Sequence, residues 1–130
     1  NKKDYRVFCL MGDGEQQEGQ IWEAAMEAAH HKVDNLVGLV DRNRLQIDGW
    51  VKEVLDISSI AEKYKAFGWH VLRCDGHNVD EVLAAYKMAE SVKGKPTVII
   101  ADTIKGKGVS FMEDVAPSSL RAISNSFLFG

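Results

Sequence analysis

Two oxygen-bearing side chains, Asp13 and Asn43, have the types and the setting to begin chemistry in this chain. Asp13 lies between Gly12 and Gly14, directly after the apolar run Tyr5 to Met11. Asn43 closes Asp41-Arg42-Asn43, directly after the apolar run Leu36 to Val40. Each run reads as a buried strand, because neither shows the alternation of a strand with one wet face. Each polar cluster therefore falls at a strand's carboxyl end, where open α/β folds bind small molecules. By itself, Gly-Asp-Gly is equally the sequence of an ordinary turn.

The charge around Asp13 narrows the chemistry. The helix after the turn offers free N–H groups and the positive end of its dipole, which suits a phosphate. Asp13, Glu15 and Glu18 crowd that same end with carboxylates, which does not. A divalent cation between protein and phosphate resolves the conflict by turning a repelling carboxylate into a ligand. Mg²⁺ takes six oxygens in near-octahedral array, one or two from side chains and the rest from phosphate and water. Asp13, the Asn43 amide oxygen and a backbone carbonyl just beyond Asn43 supply the protein's share, and a diphosphate supplies two more. Ca²⁺ and Mn²⁺ accept the same donors.

The elements that must position these groups follow the α/β pattern. Ile21, Ala24, Ala25, Ala28 and Ala29 recur at helical spacing, a narrow stripe that lets a helix lie close to a sheet. A right-handed crossover through that helix puts the ends of the first two strands on one side of the sheet, so Asp13 and Asn43 can face each other. The stretch from Arg44 to Ile57 is irregular, with an extended segment and turn around Leu45 to Trp50. Ser59 and Glu62 make a capping box ahead of Ile60, Tyr64 and Phe67, a helical stripe closed by Gly68. Trp69 to Cys74 reads as a third strand, with Asp75-Gly76-His77 as its turn. Asn78 and Glu81 cap a helix whose face is marked by Val79, Val82, Leu83, Tyr86 and Ala89. Thr97 to Asp102 reads as a fourth strand, followed by the glycine-rich loop Thr103 to Gly108, whose Lys105 and Lys107 can meet an anion. The expected fold class is α/β, a mostly parallel sheet flanked by helices, with the first strand in its centre.

Composition excludes several classes of function. The chain has 130 residues, 16 Lys and Arg against 19 Asp and Glu, and no basic cluster, which argues against a nucleic-acid or anionic-membrane surface. No apolar run is long enough to span a bilayer, so a cytoplasmic protein is expected. Cys9 and Cys74 fall in strands, where a buried reduced thiol is expected. His30, His31, His70 and His77 show no chelating pattern and are expected to be structural or solvated. The chain starts at Asn1, without an initiator Met and close to a strand, as an internal piece of a longer polypeptide would.

Gly12-Asp13-Gly14, Glu18-Gly19, Glu23-Ala24, Asn35-Leu36, Asp41-Arg42-Asn43 and Gln46-Ile47-Asp48-Gly49 together resemble the thiamine diphosphate motif of transketolases. The likeness is to the amino-terminal half of the enzyme, which some bacteria encode as a separate subunit. It places a partial thiamine diphosphate-binding domain at residues 1–116 and a tail without family likeness at 117–130. The resemblance implies that Asp13, Asn43 and the main-chain oxygen of Leu45 hold the metal. It further implies that Gly12 and Gly14 approach the diphosphate, that Ile47 lines the cofactor pocket, and that Lys105 reaches the active site. Glu18 and Glu23 match acids of a buried proton network between the two active sites of a dimer; as plain residues they are acids solvated near a helix start.

The implied reaction is transfer of a two-carbon ketol unit from a ketose to an aldose, with sugar phosphates as substrates, as in the pentose phosphate pathway. The glutamate that activates the cofactor belongs to a pyrimidine-binding domain, which would have to come in trans, in a homodimer or a heterotetramer. The family's upstream histidine and glycine motifs and its Trp-His-Gly motif are not in this sequence, and none of the four histidines takes their place. This piece alone is therefore expected to be inactive. The alternative is a non-catalytic truncated remnant, or an interaction domain that keeps the fold.

Overall fold

The computed structural model describes residues 4–116; the expected tail at 117–130 lies outside them. Four strands form one fully parallel sheet: β1 (Val7–Gly12), β2 (Leu36–Arg42), β5 (His70–Asp75) and β6 (Thr97–Asp102), in the order β1-β2-β6-β5. The α/β class and its parallel sheet are as the alternating pattern demanded. Between β2 and β5 come a two-stranded antiparallel hairpin, β3 (Leu45–Gln46) and β4 (Gly49–Trp50), and the one-turn helix α2 (Val51–Val54). These account for the irregular stretch after Arg44. Three longer helices complete the fold: α1 (Gly19–His30), α3 (Ile60–Ala66) and α4 (Val79–Ser91).

The crossovers decide which face each helix covers. The chain moves in one direction across the sheet through α1 and α3 and returns from β5 to β6 through α4, so right-handed connections put α4 on the opposite face. The core is accordingly double. Ala25 and Ala28 of α1 and Ile60 and Tyr64 of α3 pack on Met11, Val40, Val98 and Ile100. Ala85 and Ala89 of α4 pack on Val37, Ile99, Cys74 and Ala101. Val98 and Ile100 face one layer and Ile99 and Ala101 the other, which is why this strand reads as continuously apolar. Both caps form as their residue types require: the Ser59 hydroxyl accepts from Glu62 N–H, and the Asn78 side chain accepts from the N–H groups of Asp80 and Glu81.

Four sequence expectations are corrected. β1 lies at the sheet's edge among the described residues, not at its centre, and Leu10 is 70% exposed. An unbroken apolar run reports burial on both faces, and here nothing among the described residues covers the outer side of β1. Cys9 is exposed for the same reason, whereas Cys74 is buried as expected. On α4, Val79 and Leu83 stand in solvent, whereas Val82, Tyr86 and Ala89 pack as expected, joined by Ala85. On α1, Ile21, Ala25, Ala28 and Ala29 pack on the core as expected and only Ala24 is exposed.

Register brings the polar ends together. Gly12 pairs with Asp41, Arg42 with Asp102, and Asp75 with Asp102, so all four strands end in one row. Asp13, Asn43, Thr103 and Gly76 stand just beyond that row.

Candidate functional site

Asp13 is 3% exposed, a depth at which a carboxylate requires partners. One oxygen has its partner: Asp13 Oδ2 accepts from Arg44 N–H at 2.6 Å. The other, Oδ1, is buried with no hydrogen-bond partner among the described residues. Burial pushes the Asp13 carboxyl above its ordinary value, the N–H groups of Arg44 and Gly14 pull it back, and the charge of Asp41 adds to the rise. A buried carboxylate with one pinned and one unpartnered oxygen has the donor chemistry that fits a cation.

The Asn43 amide is likewise fixed by its neighbours. Its Nδ2 donates to Asp41 Oδ2 at 3.2 Å and its Oδ1 accepts from Leu45 N–H at 2.9 Å. The amide therefore presents its oxygen, not its nitrogen, toward the start of β3, and that oxygen has a second lone pair to offer. Asp41 is itself held by the Thr103 hydroxyl, which donates to its Oδ1. Thr103, Asp41 and Asn43 thus form a relay that fixes the amide from the end of β6, the arrangement by which outer groups orient a metal's ligands.

The turn between these groups leaves little room. A Cβ on Gly14 would lie 3.0 Å from Gln46 Cβ and 3.2 Å from Gln46 Oε1, so any side chain here would press on Gln46 and push the turn away from β3. Gln46 Oε1 is a second buried oxygen without a partner among the described residues. Gly12 N–H donates to Glu15 Oε2 at 2.5 Å, so this turn already seats one anionic oxygen on its backbone. A cavity of about 630 Å³ opens beside Asp13, with Arg42, Arg44, Val51, Ile57 and Arg73 among its walls.

The structure brings together Gly12, Asp13, Gly14, Asn43 and Leu45, five of the residues expected at the site. It leaves the others apart. Glu18 and Glu23 are exposed on and just before the first turns of α1, so any burial of theirs must come from outside the described residues. Ile47 is 81% exposed at the hairpin tip, and Lys105 is exposed in the loop after β6. Among the described residues no three His, Cys, Asp or Glu side chains cluster as a metal centre. The set at Asp13 escapes that pattern because its other donors are an amide and a carbonyl. Hard oxygen donors with a single carboxylate fit Mg²⁺.

Several residues here were not singled out from sequence. Asp102 gathers three arginines: Arg42 at 2.5 Å, Arg73 at 2.8 Å and Arg44 at 3.9 Å. Burial would raise the Asp102 carboxyl, but Arg73 and Arg42 hold it below its ordinary value. His77 Nε2 accepts from Ile104 N–H at 2.7 Å and so ties the turn after β5 to the loop carrying Lys105. Gln16 lies fully buried in a run, Glu15 to Glu18, that reads as solvated in sequence. The only sequence signal for these was polar residues beside strand ends.

Comparison with known proteins joins this geometry to a family. The family model for the transketolase thiamine diphosphate-binding domain matches residues 1–122. This chain belongs to the transketolase family. A 6-deoxy-6-sulfo-D-fructose transketolase subunit of a Clostridium species is 48% identical over 107 residues, 82% of this chain and 39% of that protein. An apulose-4-phosphate transketolase subunit of Phocaeicola vulgatus is 46% identical over 116 residues, 89% of this chain and 41% of that protein. The crystal structure of Campylobacter jejuni transketolase superposes with a TM-score of 0.80 at 34% identity, covering 85% of this chain and 17% of that one. The chain therefore spans about two-fifths of the subunit relatives and under a fifth of that full-length transketolase. The resemblance read from the motifs and the fold read from their spacing agree with these transketolase relatives.

Proposed function

We propose that this chain is the diphosphate- and Mg²⁺-binding part of a transketolase that moves a two-carbon ketol unit from a ketose to an aldose. The observation that carries the reading is Asp13, a buried carboxylate pinned at one oxygen and open at the other beside a pre-oriented Asn43 amide. When bound, thiamine diphosphate supplies the carbanion nucleophile that the transfer requires. This chain's part is to hold and orient. Asp13 Oδ1, Asn43 Oδ1 and the Leu45 carbonyl hold the cation, while Gly12 and Gly14 let backbone N–H groups approach the diphosphate. Ca²⁺ or Mn²⁺ would fit the same oxygens.

The exposed residues are read as contacts to what lies outside this chain. Ile47 packs against the cofactor's rings, and Lys105 reaches a sugar phosphate. Glu18 and Glu23 face a partner chain, where their carboxylates join a proton network between sites. That partner supplies the pyrimidine-binding domain and its activating glutamate, in a homodimer or a heterotetramer in the cytoplasm. The two transketolase subunits named above support the idea of a split enzyme.

Calorimetric titration with thiamine diphosphate, with and without Mg²⁺, tests the reading. Binding that requires the cation is expected for the chain alone, and ketol transfer only when a pyrimidine-domain partner is added. If neither binding nor transfer is observed in the mixture, the chain is a fold-keeping remnant and the proposal fails.

A further inference from the structure

A fully buried Gln–Tyr pair lies behind the Asp13 turn. Gln16 and Tyr64 belong to elements far apart in sequence, and both side chains are almost wholly excluded from solvent. Tyr64 of α3 donates its hydroxyl to Gln16 Oε1 at 2.9 Å. Gln16 Nε2 donates to the carbonyl of Gly12 at 3.2 Å. The Gln16 backbone is engaged at both ends: its N–H donates to the Asp13 carbonyl at 3.1 Å, and its carbonyl accepts from Trp22 Nε1 at 2.8 Å. One side chain and its own main chain thus hold the two peptide carbonyls that flank the Asp13 nitrogen and carbon.

A buried amide and a buried hydroxyl cost desolvation, and an apolar pair of the same size would fill this space without it. What the polar pair adds is direction. Gly12 has no side chain to lock its conformation, and β1 has no neighbour on its outer side among the described residues, so beyond the bond from Asp13 N–H to the Asp41 carbonyl at 3.0 Å the turn is held from within. Among the described residues, the only hydrogen bond to the Asp13 side chain from beyond the turn is Arg44 N–H on Oδ2. With Oδ2 pinned by that bond, the direction of Oδ1 depends on the backbone beneath Asp13.

We infer that Gln16 and Tyr64 are positioning residues that hold the Gly12-Asp13 backbone so that Oδ1 faces the cation. The inference rests on the reading of Asp13 as a metal ligand. It makes α3 a determinant of metal affinity through Tyr64.

The test is a double-mutant cycle on the full chain with Tyr64→Phe, Gln16→Met and the double variant. Tyr64→Phe strands Gln16 Oε1, and Gln16→Met strands both the Tyr64 hydroxyl and the Gly12 carbonyl; each is expected to lower thermal stability and affinity for Mg²⁺ with thiamine diphosphate. The double variant replaces both partners with apolar groups of similar volume, so its stability is expected to recover. Its Mg²⁺-dependent affinity is expected to stay about 10-fold low, because Gly12 O still lacks its holder. Recovery of affinity together with stability would overturn the inference, since a purely structural pair predicts it. Amide exchange at Asp13 and Arg44 gives a readout without ligand: in the refolded double variant it is expected to quicken roughly 10-fold. Failure of the wild-type chain to bind thiamine diphosphate with Mg²⁺ would instead defeat the function reading. In that case unchanged exchange still overturns the hold on the turn, and quickened exchange still supports it.

Discussion

Asp13 and Asp102 stand in the same row of strand ends yet are prepared for opposite tasks. Asp102 sits among Arg42, Arg44 and Arg73, and Arg73 and Arg42 depress its carboxyl. Asp13 is deeper, has one N–H on one oxygen and none on the other, and burial raises its carboxyl. The first is a saturated anion that ties three strands together. The second is an unsaturated one, and an unsaturated buried charge is costly unless something completes it. Position at a strand end therefore does not make a site; leftover electrostatic demand does.

The contrast can be broken most sharply at Asp13. Asp13→Asn keeps an acceptor for Arg44 N–H but removes the charge, and it should cut Mg²⁺-dependent thiamine diphosphate affinity by roughly 100-fold or more. Thermal stability without ligand should not fall, because a buried unpaired charge is relieved. Calorimetry and a melting curve on the same preparation check both halves, and a variant that keeps full affinity would refute the ligand assignment.

A smaller effect is expected one step back. Thr103→Val removes the hydroxyl that holds Asp41, and the loosened Asn43 amide should lower metal affinity by about 10-fold. Stability should change little. An unchanged titration would show that Asn43 needs no support from β6.

Asp102→Asn should give the reverse profile. Removing the anion among three arginines should cost about 1 kcal/mol of stability at neutral pH, since the cluster is partly solvated, with metal affinity nearly unchanged. The pH dependence has a definite sign. A depressed folded value means that the stabilisation is complete above the ordinary carboxylate value of 3.8 and is lost as pH falls through the lower folded value. Wild type and variant should therefore converge in acid-unfolding curves below that point, and a gap that persists there would assign the effect to packing instead.

The smallest effect concerns the loop. His77→Ala leaves Ile104 N–H without its acceptor in an exposed setting, which should cost about 0.5 kcal/mol or less. Its signature is faster amide exchange at Ile104 and its loop neighbours, with the Asp13 turn unaffected. Coupled changes at both places would mean that the two loops move as one unit.

The chemistry at Asp13 was legible in sequence because glycine, aspartate and asparagine at strand ends are local signals, and the parallel register then follows from the right-handed crossover. The exposure of β1 was not legible, since an apolar run looks the same whether or not a neighbour is present. Gln16 shows the same limit. Among Glu15, Gln17 and Glu18 it reads as one more solvated polar residue, and only the docking of α3 from a distant segment buries it against Tyr64.

Sequence alone determined the family, the α/β pattern, the caps at Ser59 and Asn78, and the placement of Asp13 and Asn43 at neighbouring strand ends. These depend on residue type and short-range spacing. Tertiary structure decided which carboxylate is satisfied and which is left open, that the Asn43 amide turns its oxygen outward, and that α3 reaches the turn through a buried tyrosine. Those outcomes depend on which groups meet across the fold, because hydrogen bonding and desolvation are settled by neighbours that lie far away along the chain.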